Sequence, residues 1–213
     1  MSQAPRLQTF TTDSIKEAAA WLKKGRLLAY PTESVWGIGC DAFDKAAVER
    51  ILAIKQRTQS KGMIVVTDSA ERIEPLLAHL NDKQRQTVLD SWYHCNQMQA
   101  HTWLLPLADT LELTVPIPSW ITGAHDSVAV RVIAHPLIQQ LCAQMVAPTN
   151  PYGFIVSTSC NPSGHPPALS LAQAQAYFID NEFADQMAYL QGETLHYTLP
   201  SQICDALTGE IIR

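Results

Sequence analysis

The apolar residues of this chain change period repeatedly along its length, and that mixture limits what it can fold into more than any other feature. Ile15, Ala18, Ala19 and Leu22 recur at helical spacing, opened by Ser14-Ile15-Lys16-Glu17 with capping-box spacing and closed at Gly25. Leu27-Leu28-Ala29-Tyr30 is instead a continuous apolar run stopped by Pro31, as a buried strand would be. Thr32 to Asp41 then reads as a glycine-containing loop and Asp44 as the cap of a second helix reaching about Ile54. Met63-Ile64-Val65-Val66 reads as the next strand. Further helices are expected over Asp82 to Trp92, Pro136 to Met145 and Ser170 to Phe178, and further strands over Val128 to Ile133, Phe154 to Thr158 and Met187 to Leu190. The tail from Ile203 to Ile212, with Thr208-Gly209 between two apolar runs, predicts a closing hairpin, and Tyr93 to His101 is the least regular stretch.

Strands and helices that interleave without strict βαβ alternation predict an α/β architecture: a mixed twisted sheet flanked by helices rather than an all-parallel one. With 213 residues, 46% of them hydrophobic, and no internal repeat or Pro/Ser-rich linker, the chain is expected to form one domain over residues 1–213. No run approaches the roughly 20 apolar residues of a membrane helix. The start, MSQAPRLQTF, lacks the apolar core of a secretory signal, so a cytoplasmic location away from the membrane is expected. Cys40, Cys95, Cys142, Cys160 and Cys204 are scattered and contain no C-x-x-C pair, which fits reduced thiols better than a disulfide framework or a zinc knuckle.

Three segments concentrate polar groups where strands should end. The net charge is -5, yet Glu49 to Lys61 carries Arg50, Lys55, Arg57 and Lys61 against Glu49 alone. Cations gathered in the connection between a helix and a strand suit a triphosphate, for which Arg offers bidentate contacts and Lys a point charge; a solvated loop is the bland alternative. Pro31-Thr32-Glu33-Ser34-Val35-Trp36-Gly37-Ile38-Gly39 offers hydroxyls and glycine amides to a small polar substrate, though a plain turn would look the same. In Val156-Ser157-Thr158-Ser159-Cys160-Asn161-Pro162-Ser163-Gly164, an extended strand would place residues 157, 159 and 161 on one side, as donors and acceptors for phosphate, ribose or base.

These three segments, in this order and spacing, resemble the YrdC/TsaC family of threonylcarbamoyl-AMP synthases. The likeness rests on PTES-x-W-G-I-G-C, on K-x-R at Lys55 and Arg57 followed by Lys61-Gly62, and on S-x-N at Ser159 and Asn161. It continues through Asp126-Ser127-Val128-Ala129-Val130-Arg131-Val132 with His135-Pro136, and ends in Ser201-Gln202-Ile203 with Asp205 to Glu210. The resemblance implies a YrdC-like fold with an open cavity, and a nucleotidyl transfer from ATP. L-threonine and bicarbonate give a carbamate that attacks the α-phosphorus and expels pyrophosphate. It further implies Mg²⁺ carried by the nucleotide, and partner proteins that pass the threonylcarbamoyl group to an adenosine beside the anticodon of ANN-decoding tRNAs. By the same resemblance Lys55 and Arg57 are the catalytic pair. Lys55, Arg57, Lys61, Ser127, Ser159, Asn161 and Arg213 contact ATP, while Thr32, Ser34, Arg131, Ser157 and Ser201 form the threonine side, with no protein-held metal.

Two stretches depart from the family pattern. Tyr93 to His101 lacks the usual Pro-Gly-Pro turn, and extra residues stand at Asn150 to Phe154; both are expected to alter the cavity rim rather than the fold. His94, Cys95 and His101 have zinc-type donors without standard spacing, so a plain loop is the better reading. Gly37-Ile38-Gly39-Cys40-Asp41-Ala42 matches G-x-G-x-x-A but begins too far past its strand for a dinucleotide fingerprint, and no P-loop is present. The competing functions are a non-catalytic RNA-binding protein of the same fold, disfavoured by a pI near 5.7, and a carbamoyl-adenylating enzyme that uses carbamoyl phosphate.

Overall fold

The computed structural model describes residues 7–94, 98–108, 110–199 and 201–213. Its strands are β1 Gln8–Phe10, β2 Leu27–Pro31, β3 Trp36–Asp41, β4 Ile64–Thr67, β5 His101–Pro106, β6 Ser127–Val132, β7 Ile155–Ser159, β8 Met187–Leu190 and β9 Gln202–Asp205. They join one sheet in the order β1-β8-β2-β3-β7-β4-β6-β5-β9. The pairs β1–β8, β8–β2, β4–β6 and β5–β9 are parallel and the remaining neighbours antiparallel, so the sheet is mixed, as the interleaved pattern predicts. The helices are α1 Ile15–Leu22, α2 Lys45–Lys55, α3 Glu74–Leu77, α4 Asp82–Tyr93, α5 Ser119–Thr122, α6 Pro136–Met145 and α7 Leu171–Phe178. None is long and apolar enough to cross a membrane.

Strand alternation divides the interior in two. Leu27, Ala29, Trp36, Ile38, Cys40, Val65, Val130 and Val156 face a large core closed by α2, α4 and α7. Leu28, Tyr30, Val66, Ile155, Ala188 and Leu190 point the opposite way, into a smaller core under α1 and α6. The smaller core covers only part of its face. Beyond it the same side chain rows continue as Ser157 and Ser159 on β7, Ile64 on β4, and Ser127, Ala129 and Arg131 on β6, and these line a cavity instead of meeting a helix.

Several local expectations need correction. Trp36 to Asp41 is not loop but a strand antiparallel to both β2 and β7. Gly37 and Gly39 weigh against strand in a sequence, yet here they are spacers: a side chain at Gly39 would strike the Val156 carbonyl and lie 2.7 Å from the Tyr30 hydroxyl. Ser14 does not form the capping box; its Oγ pairs with Thr11 Oγ1 at 3.0 Å and gives α1 no side-chain cap. Asp44 does cap α2, accepting the Ala47 N–H at 2.9 Å. Strands β1 and β5 lie outside the expected set. The tail closes as expected, with Ile203 N–H donating to the Arg213 carbonyl at 2.8 Å, which returns Arg213 to the sheet.

Candidate active site

The cavity encloses about 460 Å³. One of its ends is built from the exit of α2. Buried Ala47, Val48, Ile51, Leu52 and Ile54 fix that helix on the large core, so Lys55 emerges at its last turn, and Gln56, in the left-handed conformation at φ 45°, swings the chain towards β4. Arg57 Nη2 donates to the Lys61 and Gly62 carbonyls at 3.1 and 3.0 Å, curling the segment on itself. The segment is clamped from outside: Met63 N–H donates to the Ile121 carbonyl at 2.7 Å and Ala124 N–H to the Ser60 carbonyl at 3.0 Å. Close approach there requires Gly123.

Lys55 Nζ reaches across to β7. It lies 3.0 Å from the Ser159 carbonyl, 3.3 Å from Ser159 Oγ, and 2.9 Å from both the carbonyl and Oδ1 of Asn161. Three ammonium protons are thus shared among four oxygens. Burial, reinforced by Arg57 and opposed by Cys160, holds the Lys55 ammonium below the usual lysine range. The strand ends at Ser159, and Asn161 N–H turns back to the Ser159 carbonyl at 3.0 Å. Asn161 therefore does not continue the strand face as the alternating pattern predicts; it joins Ser159 through Lys55.

Arg57 and Arg213 also converge. Burial lowers the Arg57 guanidinium pKa, and repulsion from Arg213 lowers it further. Cations held near one another along a cavity wall attract a polyanion although the whole chain is acidic. Arg50 does not take part, because its Nη1 donates to the Gly25 carbonyl at 2.6 Å, so the cationic run of the sequence overstates the charge in the site.

The opposite end carries hydroxyls and one guanidinium. Thr32 Oγ1 donates to the Val35 carbonyl at 2.7 Å, which shapes the turn presenting Ser34. Arg131 rises from β6 beside the buried Glu33 carboxylate, with Nη2 3.7 Å from Oε2. Ser157 stands on β7 and Ser127 opens β6, whereas Ser201 accepts from Arg213 Nη2 at 3.5 Å and so lies towards the cationic end. Of the residues singled out in the sequence, Thr32, Ser34, Arg57, Lys61, Ser127, Arg131, Ser157, Ser159, Ser201 and Arg213 line the cavity. Lys55 and Asn161 stand behind Ser159. The sequence reading missed His125, Thr122 and the apolar wall of Ile64, Leu104, Ile203 and Ile212. Periodicity on β6 would have added Ala129, whereas Leu104 and Ile212 follow only from the pairing of β5, β9 and the tail.

None of the described residues of the two departing stretches, 93–101 and 150–154, lines the cavity. Tyr93 donates no such wall; its hydroxyl accepts from the Ala70 N–H at 2.8 Å. Asn150 bonds Phe154 through both ends of its amide and Asp41 through Nδ2, which shapes the entry to β7. Cys95 lies outside the described residues, His94 pairs with Asp90 at 3.2 Å, and His101 sits in β5. Among the described residues no three His, Cys, Asp or Glu side chains gather as a metal site. Burial pushes the Cys160 thiol up to about 12, which disfavours a thiolate there.

A cationic end, a hydroxyl-rich end and one guanidinium between buried strands can hold a nucleotide and a small carboxylate together. Residues 20–213 match the family model of the Sua5, YciO and YrdC proteins, described as telomere recombination. The chain belongs to the Sua5/YciO/YrdC family. Within it, the threonylcarbamoyl-AMP synthase of Psychrobacter cryohalolentis is 67% identical over 208 residues, 95% of this chain and 96% of that protein. The synthase of Moraxella catarrhalis is 43% identical over 210 residues, 97% of this chain and 98% of that protein. Among solved structures, P. abyssi Sua5 complexed with L-threonine has a TM-score of 0.73 at 25% identity and covers 94% of this chain; the chain spans 54% of that longer Sua5 chain. E. coli YciO, at 18% identity and a TM-score of 0.70, shares the Sua5/YciO/YrdC fold.

Proposed function

We propose that this chain forms L-threonylcarbamoyladenylate and pyrophosphate from L-threonine, bicarbonate and ATP. The observation that carries the reading is the cavity itself, in which the converging Arg57 and Arg213 stand at one end and Arg131 with the hydroxyls of Thr32, Ser34 and Ser157 at the other. Arg57, Lys61 and Arg213 receive the triphosphate, Ser127 stands between the two ends, and Lys55 holds the Ser159–Asn161 turn against the nucleotide. Arg131 receives the threonine carboxylate, with Thr32, Ser34 and Ser157 on the threonine side and Ser201 reaching it from beside Arg213.

The chemistry asks little of a general base. The carbamate is already an anion: its oxygen forms the new bond to the α-phosphorus while the bond from that phosphorus to pyrophosphate breaks, and the electron pair leaves with pyrophosphate. The protein's task is to align the reactants and neutralise the charge that builds on the phosphate oxygens, Arg57 from the cavity wall and Lys55 from behind it, through the Ser159–Asn161 turn that it holds. Mg²⁺, when bound, would shield the phosphate charge. Among the described residues no Asp or Glu lines the cavity, a donor set that fits an ion carried in by the nucleotide.

The adenylate would then be consumed by threonylcarbamoyl-transfer proteins acting on ANN-decoding tRNAs in the cytoplasm. Incubation with ATP, L-threonine, bicarbonate and Mg²⁺ is expected to release pyrophosphate, with the release collapsing when threonine is left out. Equal release with and without threonine would remove this reading in favour of a plain nucleotidase or a different acceptor.

A further inference from the structure

Glu33 is 1% exposed, and its carboxylate accepts one hydrogen bond, from the Ala134 N–H to Oε1 at 3.0 Å. Oε2 accepts none among the described residues and faces Arg131 Nη2 across 3.7 Å, with both side chains buried. A buried charge pair is costly to desolvate, and close bidentate contact is what repays that cost best. Here the gap stays open. Arg131 Nε makes no hydrogen bond among the described residues, and the residue lines the cavity.

Glu33 sits on a fixed backbone. Its own carbonyl accepts the Tyr197 N–H at 2.9 Å, and the neighbouring Thr32 carbonyl accepts the Leu195 N–H at 3.1 Å, so the backbone that carries it is tied down on both residues. The Tyr30 phenol and the Cys142 thiol, two other acidic groups that feel Arg131, are held protonated by burial and supply no counter-charge.

We propose that Glu33 is a positioning residue for the amino-acid end of the cavity: its carboxylate, pinned to the Ala134 amide, aims the Arg131 guanidinium at an incoming carboxylate without taking up its hydrogen-bond donors. The inference rests on the reading of Arg131 as the receiver of the threonine carboxylate. Glu33→Gln keeps the shape and an acceptor for Ala134 but removes the charge. Steady-state pyrophosphate release by this variant should show the KM for threonine raised about tenfold, with the KM for ATP within about twofold of wild type. Arg131→Ala alone should raise the threonine KM by about 100-fold, and adding Glu33→Gln to it should change nothing further.

A Glu33→Gln effect that persists in the Arg131→Ala background, or a parallel rise in both KM values, overturns the proposal, because either result means a general structural role. Should Glu33→Gln not fold, Glu33→Asp keeps the charge but draws it back from Arg131; a raised threonine KM supports the proposal and a wild-type value overturns it. Wild-type protein that releases pyrophosphate without threonine would fail the functional reading before any variant is compared.

Discussion

Lys55→Ala is expected to lower kcat/KM for ATP by roughly 100-fold, about 3 kcal/mol, while leaving the KM for threonine nearly unchanged. The ammonium is the shared donor for two carbonyls, one hydroxyl and one amide oxygen of Ser159 and Asn161. Charge-assisted bonds of this kind are stronger than neutral ones, and their loss frees the turn that faces the nucleotide. Alanine at the last turn of α2 preserves the helix, so the loss should appear in ATP kinetics and not as unfolding. The same residue gives the reaction an alkaline limit. Because burial holds Lys55 below the usual lysine range, rising pH removes its proton before that of a free lysine, and the ATP KM should climb through that window. The unfolded chain keeps the proton longer, so Lys55's own contribution to stability grows with pH over the same window, opposite in sign to the activity. Lys55→Arg, which stays charged, should remove the alkaline rise in KM. A rise that survives in Lys55→Arg would assign the limit to another group.

Gly123→Ala should destabilise the fold by about 2–4 kcal/mol and weaken ATP binding along with it. Gly123 has φ +68°, and a side chain there would lie 2.5 Å from the Ser60 carbonyl and 2.8 Å from that of Gln59, besides striking the Gly62 amide. These are backbone atoms that cannot swing aside. The 59–62 segment would have to withdraw from α5, taking with it the Lys61 and Gly62 carbonyls that hold Arg57. Gly164→Ala is the matched control: φ is +81° but nothing lies within 4 Å, so only the left-handed backbone penalty of about 1 kcal/mol applies. Urea midpoints for the two variants, compared at equal m-values, measure the difference, and equal midpoints would mean that the 59–62 segment moves freely.

These two residues also mark what the sequence could and could not convey. Helices announced by a cap and an apolar stripe were legible, as with Asp44 before α2 and Pro136 at the start of α6, because capping and burial act within one turn. Strand β3 was hidden by Gly37 and Gly39, whose purpose is to admit the Tyr30 ring and a neighbouring strand from elsewhere in the chain. The charge of the Lys55 to Lys61 segment was visible, but not that Arg50 spends its guanidinium on Gly25 or that Lys55 serves a turn more than 100 residues away. Glu33 is one letter in a motif, and only the folded chain brings Arg131 of β6 beside it. Local chemistry can be read from spacing; partnership across the sheet cannot.

Isotopically labelled bicarbonate, supplied with ATP, L-threonine and Mg²⁺, tests the central claim most directly through the mass of the nucleotide product. The label is expected in the carbamoyl carbon of a threonylcarbamoyl adenylate formed in equal amount with pyrophosphate. An unlabelled adenylate of threonine, or AMP formed with no labelled adduct, would contradict it.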